Sequence, residues 1–309
     1  MVNLKNKDFL SLKDFTREEL EYLLNLSLQL KTIQKSGGLF RPLDGKMVAM
    51  IFNKPSTRTR VSFQVGISQL GGQSFYMQPQ QMQLGRGEPV KDTARVLDRY
   101  VDGLVIRTFD QNEVKEFAEY MKAPVINALT DLTHPCQGLA DLLTIKEKIG
   151  YLKGVRMLYV GDLNMCHSIM LGCAKFGVDL TVVIPRDFPP DKEILRIAKE
   201  EAKKNASIME FSEDLAKSAK GAEVIYASTW WSMGQSEEEI ERRKMAFKPF
   251  EITSDTMRLA KPGCIFMNPL PAERGYEQTE EVLESPQSVI FDEAENRLHV
   301  QKAILASVI

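Results

Sequence analysis

Short apolar runs of strand length recur along the chain and alternate with stretches of helical periodicity. Residues 46–52 (KMVAMIF), 103–106 and 124–127 read as buried strands in the first half, and 155–160, 179–184, 224–227 and 264–267 in the second. Between them lie an amphipathic helix over 16–31, with Leu20, Leu23, Leu24, Leu28 and Leu30 on or near one face, and a helix that starts at 53–57 and stops at Gly71-Gly72. Further helices are expected over 112–121, 134–149, 168–176 and 192–202, and a last one over 295–308. Strands alternating with helices predict parallel sheets flanked by helices. A length of 309 residues is too great for one typical core. The expected fold is therefore α/β, two doubly wound parallel-sheet domains with the ligand cleft at the carboxyl ends of the strands, between the domains.

Composition narrows the partners. A formal net charge of −2 gives no bulk attraction for nucleic acid, so a basic cluster in this chain is a local site. The apolar runs, such as 47–52 and 157–160, are far shorter than a membrane span, and 1–5 lacks the apolar core of a signal peptide. Cys136, Cys166, Cys173 and Cys264 have no paired spacing, which suits a reducing compartment and a cytoplasmic protein. The charged helix over 236–246 reads as a solvated face.

Ser56-Thr57-Arg58-Thr59-Arg60 stands where a strand feeds a helix. Free backbone N–H groups and the positive end of the helix dipole make such a start an anion site. Hydroxyls add donors, and the planar fork of arginine binds two phosphate oxygens at once. A capped helix with two surface arginines would look the same in isolation, and no G-x-x-x-x-G-K-[ST] loop occurs. Three further loop ends supply company: Arg107 after one strand, His134-Pro135-Cys136-Gln137 at the start of a long helix, and Arg274 after the last strand of the second half.

With these residues in place, the sequence resembles the aspartate/ornithine carbamoyltransferase family, closest to its ornithine branch. The resemblance spans essentially the whole chain: STRTR at 56–60, LGRGEP at 84–89, KDTARVL at 91–97, HPCQ at 134–137, SMG at 232–234, LPAERG at 270–275 and FDEAENRL at 291–298. It implies a carbamoyl-phosphate-binding domain over 1–133, rejoined by the C-terminal helix 295–309, and an amine-acceptor-binding domain over 134–294. It also implies a homotrimer, or a multiple of trimers, with active sites at subunit interfaces. By motif, Ser56, Thr57, Arg58 and Thr59 would hold the phosphate. Thr59, Arg107 and His134 would polarise the carbamoyl oxygen, and Gln137 would bind the carbamoyl amide. Gln83 would reach a neighbouring subunit's phosphate, and Arg274 would join on domain closure. Arg107, His134 and Arg274 are the expected catalytic residues. Fixed donors aimed at developing negative charge suffice for this chemistry, with neither cofactor nor metal. Cys166-His167 beside Cys173 does not have the spacing of a zinc set.

The acceptor side departs from the family pattern. Ser228 stands where ornithine enzymes carry an aspartate before SMG, and Pro269 replaces the cysteine of HCLP. The loop 161–168 is shorter and offers one asparagine, Asn164, and Gln64 replaces a glutamate. The expected acceptor set is Asn164, Ser228, Ser232, Met233, Pro269 and Leu270, with Trp230 and Trp231 reshaping the pocket. The resemblance implies transfer to the side-chain amine of L-ornithine, giving citrulline and phosphate in arginine biosynthesis. Two alternatives stay open: the same donor with another amine or amino-acid acceptor, and a non-catalytic regulatory homologue. A nucleotide-dependent dehydrogenase is disfavoured, because no G-x-G-x-x-G follows Val160-Gly161-Asp162.

Overall fold

β1 (Met47–Phe52), β2 (Gln73–Met77), β3 (Gly103–Arg107) and β4 (Val125–Leu129) run parallel in the order β2-β1-β3-β4. They belong to a computed structural model that describes residues 2–232 and 234–309. The chain divides into two compact units, Met1–Ala140 with Glu295–Ile309, and Asp141–Ala294. In the first unit, α1 (Arg17–Lys35) starts at a capping box in which Thr16 and Glu19 satisfy each other's backbone N–H. α2 (Thr57–Gln69) is capped by Ser56, α3 (Val90–Leu97) follows β2, and α4 (Gln111–Tyr120) is capped by Asp110. Ile51, Leu104, Ile106, Val114 and Phe117 form a core between sheet and helices. β2 and α3 lie outside the expected elements. β2 (QSFYM) is a half-exposed edge strand and carries no continuous apolar run.

α5 (Pro135–Ile149) carries the chain from the first unit into the second. There β5 (Arg156–Val160), α6 (Leu163–Phe176), β6 (Asp179–Val183), α7 (Lys192–Lys204), β7 (Met209–Ser212), α8 (Leu215–Ala219), β8 (Val224–Ala227), α9 (Glu237–Phe247) and β9 (Ile265–Met267) build a parallel sheet of order β7-β6-β5-β8-β9. The expected α/β class with two parallel sheets holds. The C-terminal helix Ile290–Val308 begins five residues earlier than expected. No helix among the described residues is long and apolar enough to cross a membrane.

Two expectations need correction. α6 starts at Leu163, because the Asp162 carboxylate caps it by accepting from the Leu163 N–H at 2.7 Å. Asn164 therefore sits in the first helical turn, not in a loop. α9 is not simply a solvated face, since Arg243 and Phe247 are buried.

Candidate active site

In each sheet the strand order reverses once, and that switch point opens a crevice at the carboxyl ends of the two flanking strands. In the first unit the pair is β1 and β3. Their register sets Phe52 beside Arg107, and the Asn53 N–H donates to the Arg107 carbonyl at 2.8 Å. The turn to α2 thus leaves β1 next to the side chain that ends β3. Ser56 has extended backbone, and its Oγ accepts from the Thr59 N–H at 3.2 Å, which fixes the first turn of α2. Ser56, Thr57 and Arg60 line a cavity of about 690 Å³ with Lys54, Gln64 and Tyr76.

Arg58, Arg107 and Arg297 gather beside this turn. Thr59 Oγ1 accepts from Arg297 Nη2 at 2.7 Å, and Arg107, Thr59, His134 and Gln137 are buried. Burial, reinforced by the charges of Arg297 and Arg58, pushes the Arg107 guanidinium down to about 10. Arg107 Nε is buried with no hydrogen-bond partner among the described residues. Burial, then the charges of Arg297 and Arg107, push the His134 imidazole well below the usual histidine range, so it is neutral at pH 7. Positive charge packed this way favours a bound anion, with a neutral imidazole beside it. Arg60 is differently engaged: its guanidinium lies 3.8 Å from the Tyr76 ring centre and its Nε donates to Gln64 at 3.3 Å. Lys54 is buried, ion-paired to Asp131 and 4.1 Å from the centre of the Phe109 ring.

Two further expected donor residues are engaged differently. Gln83 is exposed, just before the single turn Leu84–Arg86. Arg274 belongs to the second unit, where it pairs with Glu280 and with Glu284 at 3.0 Å.

The second switch point lies between β5 and β8, whose register sets Val160 beside Ala227. Gly161 follows β5 with φ 149°, and a Cβ there would lie 2.6 Å from the Ser228 carbonyl oxygen, so only glycine lets the two strand ends approach this closely. Ser228 is buried, and Ser232 donates its hydroxyl to Asp162. Asp162 also faces Arg243 at 3.5 Å, and Arg243 Nη1 donates to the Trp230 carbonyl at 3.1 Å. Burial raises the Asp162 carboxyl, while Ser232 and Arg243 oppose that rise. Met233 lies outside the described residues. Pro269 and Leu270 are half-buried, and Leu270 is held at φ 55° with its N–H donated to Asn268 Oδ1 at 2.8 Å. Left-handed backbone at a non-glycine residue is uncommon and persists where neighbours enforce it. Buried Asn268, Gln278 and Glu277 do so here, the last accepting from the Glu273 N–H at 2.7 Å.

Arg297, Asp162, Arg243, Tyr276 and Glu277 were not singled out from sequence. Arg297 sits inside the FDEAENRL motif, and Asp162 inside a strand-end Gly-Asp pair, which are the signals available for those two. Buried His167 accepts from the Asp191 N–H at 2.9 Å, and burial lifts the Cys136 thiol to about 12.

Two parallel-sheet units, a turn flanked by arginines and a second polar switch point define an α/β protein with an anion-favouring site in its first unit. The chain belongs to the aspartate/ornithine carbamoyltransferase family: residues 7–147 match its carbamoyl-P binding domain and 153–308 its Asp/Orn binding domain. It is 49% identical to the ornithine carbamoyltransferase of Thermococcus kodakarensis over 309 residues, covering 100% of this chain and 98% of the relative. The solved ornithine carbamoyltransferase of Pyrococcus furiosus superposes with a TM-score of 0.96 at 48% identity, covering 100% and 98% of the two chains. An N-acetyl-L-ornithine transcarbamylase superposes with a TM-score of 0.89 at 32% identity, covering 98% and 100%.

Proposed function

We propose that this enzyme transfers the carbamoyl group of carbamoyl phosphate to the side-chain amine of L-ornithine, releasing citrulline and phosphate. The observation that carries this reading is the gathering of Arg58, Arg107 and Arg297 with neutral His134 around the Ser56 turn, in a chain half identical to ornithine carbamoyltransferases. The neutral amine attacks the carbamoyl carbon, the bond from that carbon to the oxygen bridging it to phosphorus breaks, and the amine proton passes to the departing phosphate. Ser56, Thr57, Arg58 and Thr59 hold the phosphate, while Arg107 and His134 donate to the carbonyl oxygen as charge builds there. Gln137 binds the carbamoyl amide, and Arg297 both charges the site and fixes Thr59. In this reading Asn164, Ser228, Ser232, Pro269 and Leu270 serve the acceptor.

Arg274 joins the donor only after exchanging its ion pairs with Glu280 and Glu284. Both pairs are solvent-exposed, and water screens such pairs, so the exchange is within reach of substrate binding. The proposed assembly is a cytoplasmic homotrimer in which Gln83 serves a neighbouring subunit's phosphate site. Buried, neutral Ser228 in place of an aspartate supports a second reading, an acceptor without a free α-ammonium group. Phosphate release from carbamoyl phosphate with a panel of amines separates the readings. L-ornithine giving the highest kcat/KM supports the first, an N-acylated ornithine the second, and no turnover with any amine overturns both.

A further inference from the structure

The two stretches that bear the acceptor residues, 228–235 and 268–279, meet through aromatic rings. The Tyr276 ring centre lies 5.6 Å from that of Trp231 and 6.1 Å from that of Trp230, each at an interplanar angle of 89°. Both are edge-to-face contacts, the arrangement favoured by ring quadrupoles. Lys244 of α9 caps the contact, its Nζ 5.3 Å from the Trp231 ring centre and 5.2 Å from that of Tyr276. Behind them, Trp230 is buried, stacks on Phe247 at 5.9 Å and has its carbonyl held by Arg243.

Tyr276 is also tied by backbone to the loop it closes. Its N–H donates to the Glu273 carbonyl at 3.1 Å, and Gly275 N–H donates to the Gln278 carbonyl at 3.0 Å. Movement of Tyr276 therefore moves the 270–274 segment, and movement of Trp231 moves its neighbour Ser232. We propose that Tyr276 and Trp231 form a clamp that sets the acceptor pocket, making both of them positioning residues for the amine. The inference rests on the reading of 228–234 and 268–274 as the acceptor side.

Trp230 and Trp231 are the chain's only tryptophans, so intrinsic indole fluorescence reports this clamp directly. The experiment compares wild type, Tyr276→Ala and Tyr276→Phe, first by titrating L-norvaline, the unreactive analogue of ornithine without its side-chain amine, in saturating phosphate. Kinetics with L-ornithine and carbamoyl phosphate follow. Norvaline should perturb the wild-type emission, and Tyr276→Ala should shift emission to the red and raise KM for ornithine roughly tenfold or more. KM for carbamoyl phosphate should change by less than about twofold, since uniform loss would mean general damage. Tyr276→Phe keeps the ring and should restore both emission and KM. An unchanged ornithine KM in folded Tyr276→Ala, or equal damage in the Phe variant, overturns the clamp. A normal norvaline response without turnover of ornithine instead overturns the proposed reaction and leaves the clamp standing.

Discussion

Arg297 on the C-terminal helix donates a 2.7 Å hydrogen bond to Thr59 Oγ1 on α2, joining buried residues 238 positions apart in the chain. The bond fixes the hydroxyl of a phosphate-turn residue and brings a third guanidinium to Arg58 and Arg107. Arg297→Ala removes a charged partner of a buried hydroxyl, and carbamoyl-phosphate binding should weaken by roughly 2–4 kcal/mol. Arg297→Lys should recover only part, because an ammonium lacks the planar fork. Calorimetric titration checks both: full affinity in Arg297→Ala would mean that Arg297 has no part in the site, and full affinity in Arg297→Lys that its charge alone matters.

His134 sits with its imidazole neutral, because burial and two nearby guanidinium groups disfavour its charged form. Turnover should therefore show no acid limb near the ordinary histidine pKa of about 6.5. A base whose folded pKa is depressed binds fewer protons in the folded state. Its stabilising effect is present above about pH 6.5 and lost as pH falls further. His134→Ala should lower kcat by roughly a hundredfold to a thousandfold, as when an oxyanion donor is removed. A pH–rate profile and the variant's kcat are the measurements, and an acid limb at pH 6.5 contradicts the assignment.

Glu277 is a buried carboxyl that desolvation raises to about 7 although its oxygen accepts from Glu273 N–H. The folded state then keeps a proton that the unfolded chain loses near its ordinary value of 4.5. Between those two values stability should fall as pH rises, by on the order of 3 kcal/mol in total. Glu277→Gln keeps an acceptor for the same N–H and should flatten that window. Urea melts at pH 5 and pH 7.5, followed by tryptophan emission, compare the slopes. Equal slopes in wild type and variant rule the effect out.

Most of the fold was legible in the sequence because its central strands are continuous apolar runs. β8 was read at its observed bounds, and β1 within a residue. β2 was not legible: an edge strand half exposed to water carries no such run. The start of α6 was misplaced because Asp162, read as part of a loop, is the cap. On the donor side, the Ser56 turn leaves β1 and Arg107 ends β3 at one switch point, while His134 opens α5 after β4, and such element ends are legible in the spacing of the apolar runs. Arg297 contributes through a contact 238 residues distant, and Arg243 through burial on a helix of charged composition. Neither property is written locally in the chain.

The central claim is that the arginine-lined turn delivers a carbamoyl group to ornithine. It is tested most directly by mixing the protein with [13C]carbamoyl phosphate and L-ornithine and following the labelled carbon by NMR. The account predicts that label moves from the carbamoyl phosphate resonance to the ureido carbon of citrulline, with one phosphate released per citrulline formed. Label that stays in carbamoyl phosphate, or phosphate released without labelled citrulline, contradicts it.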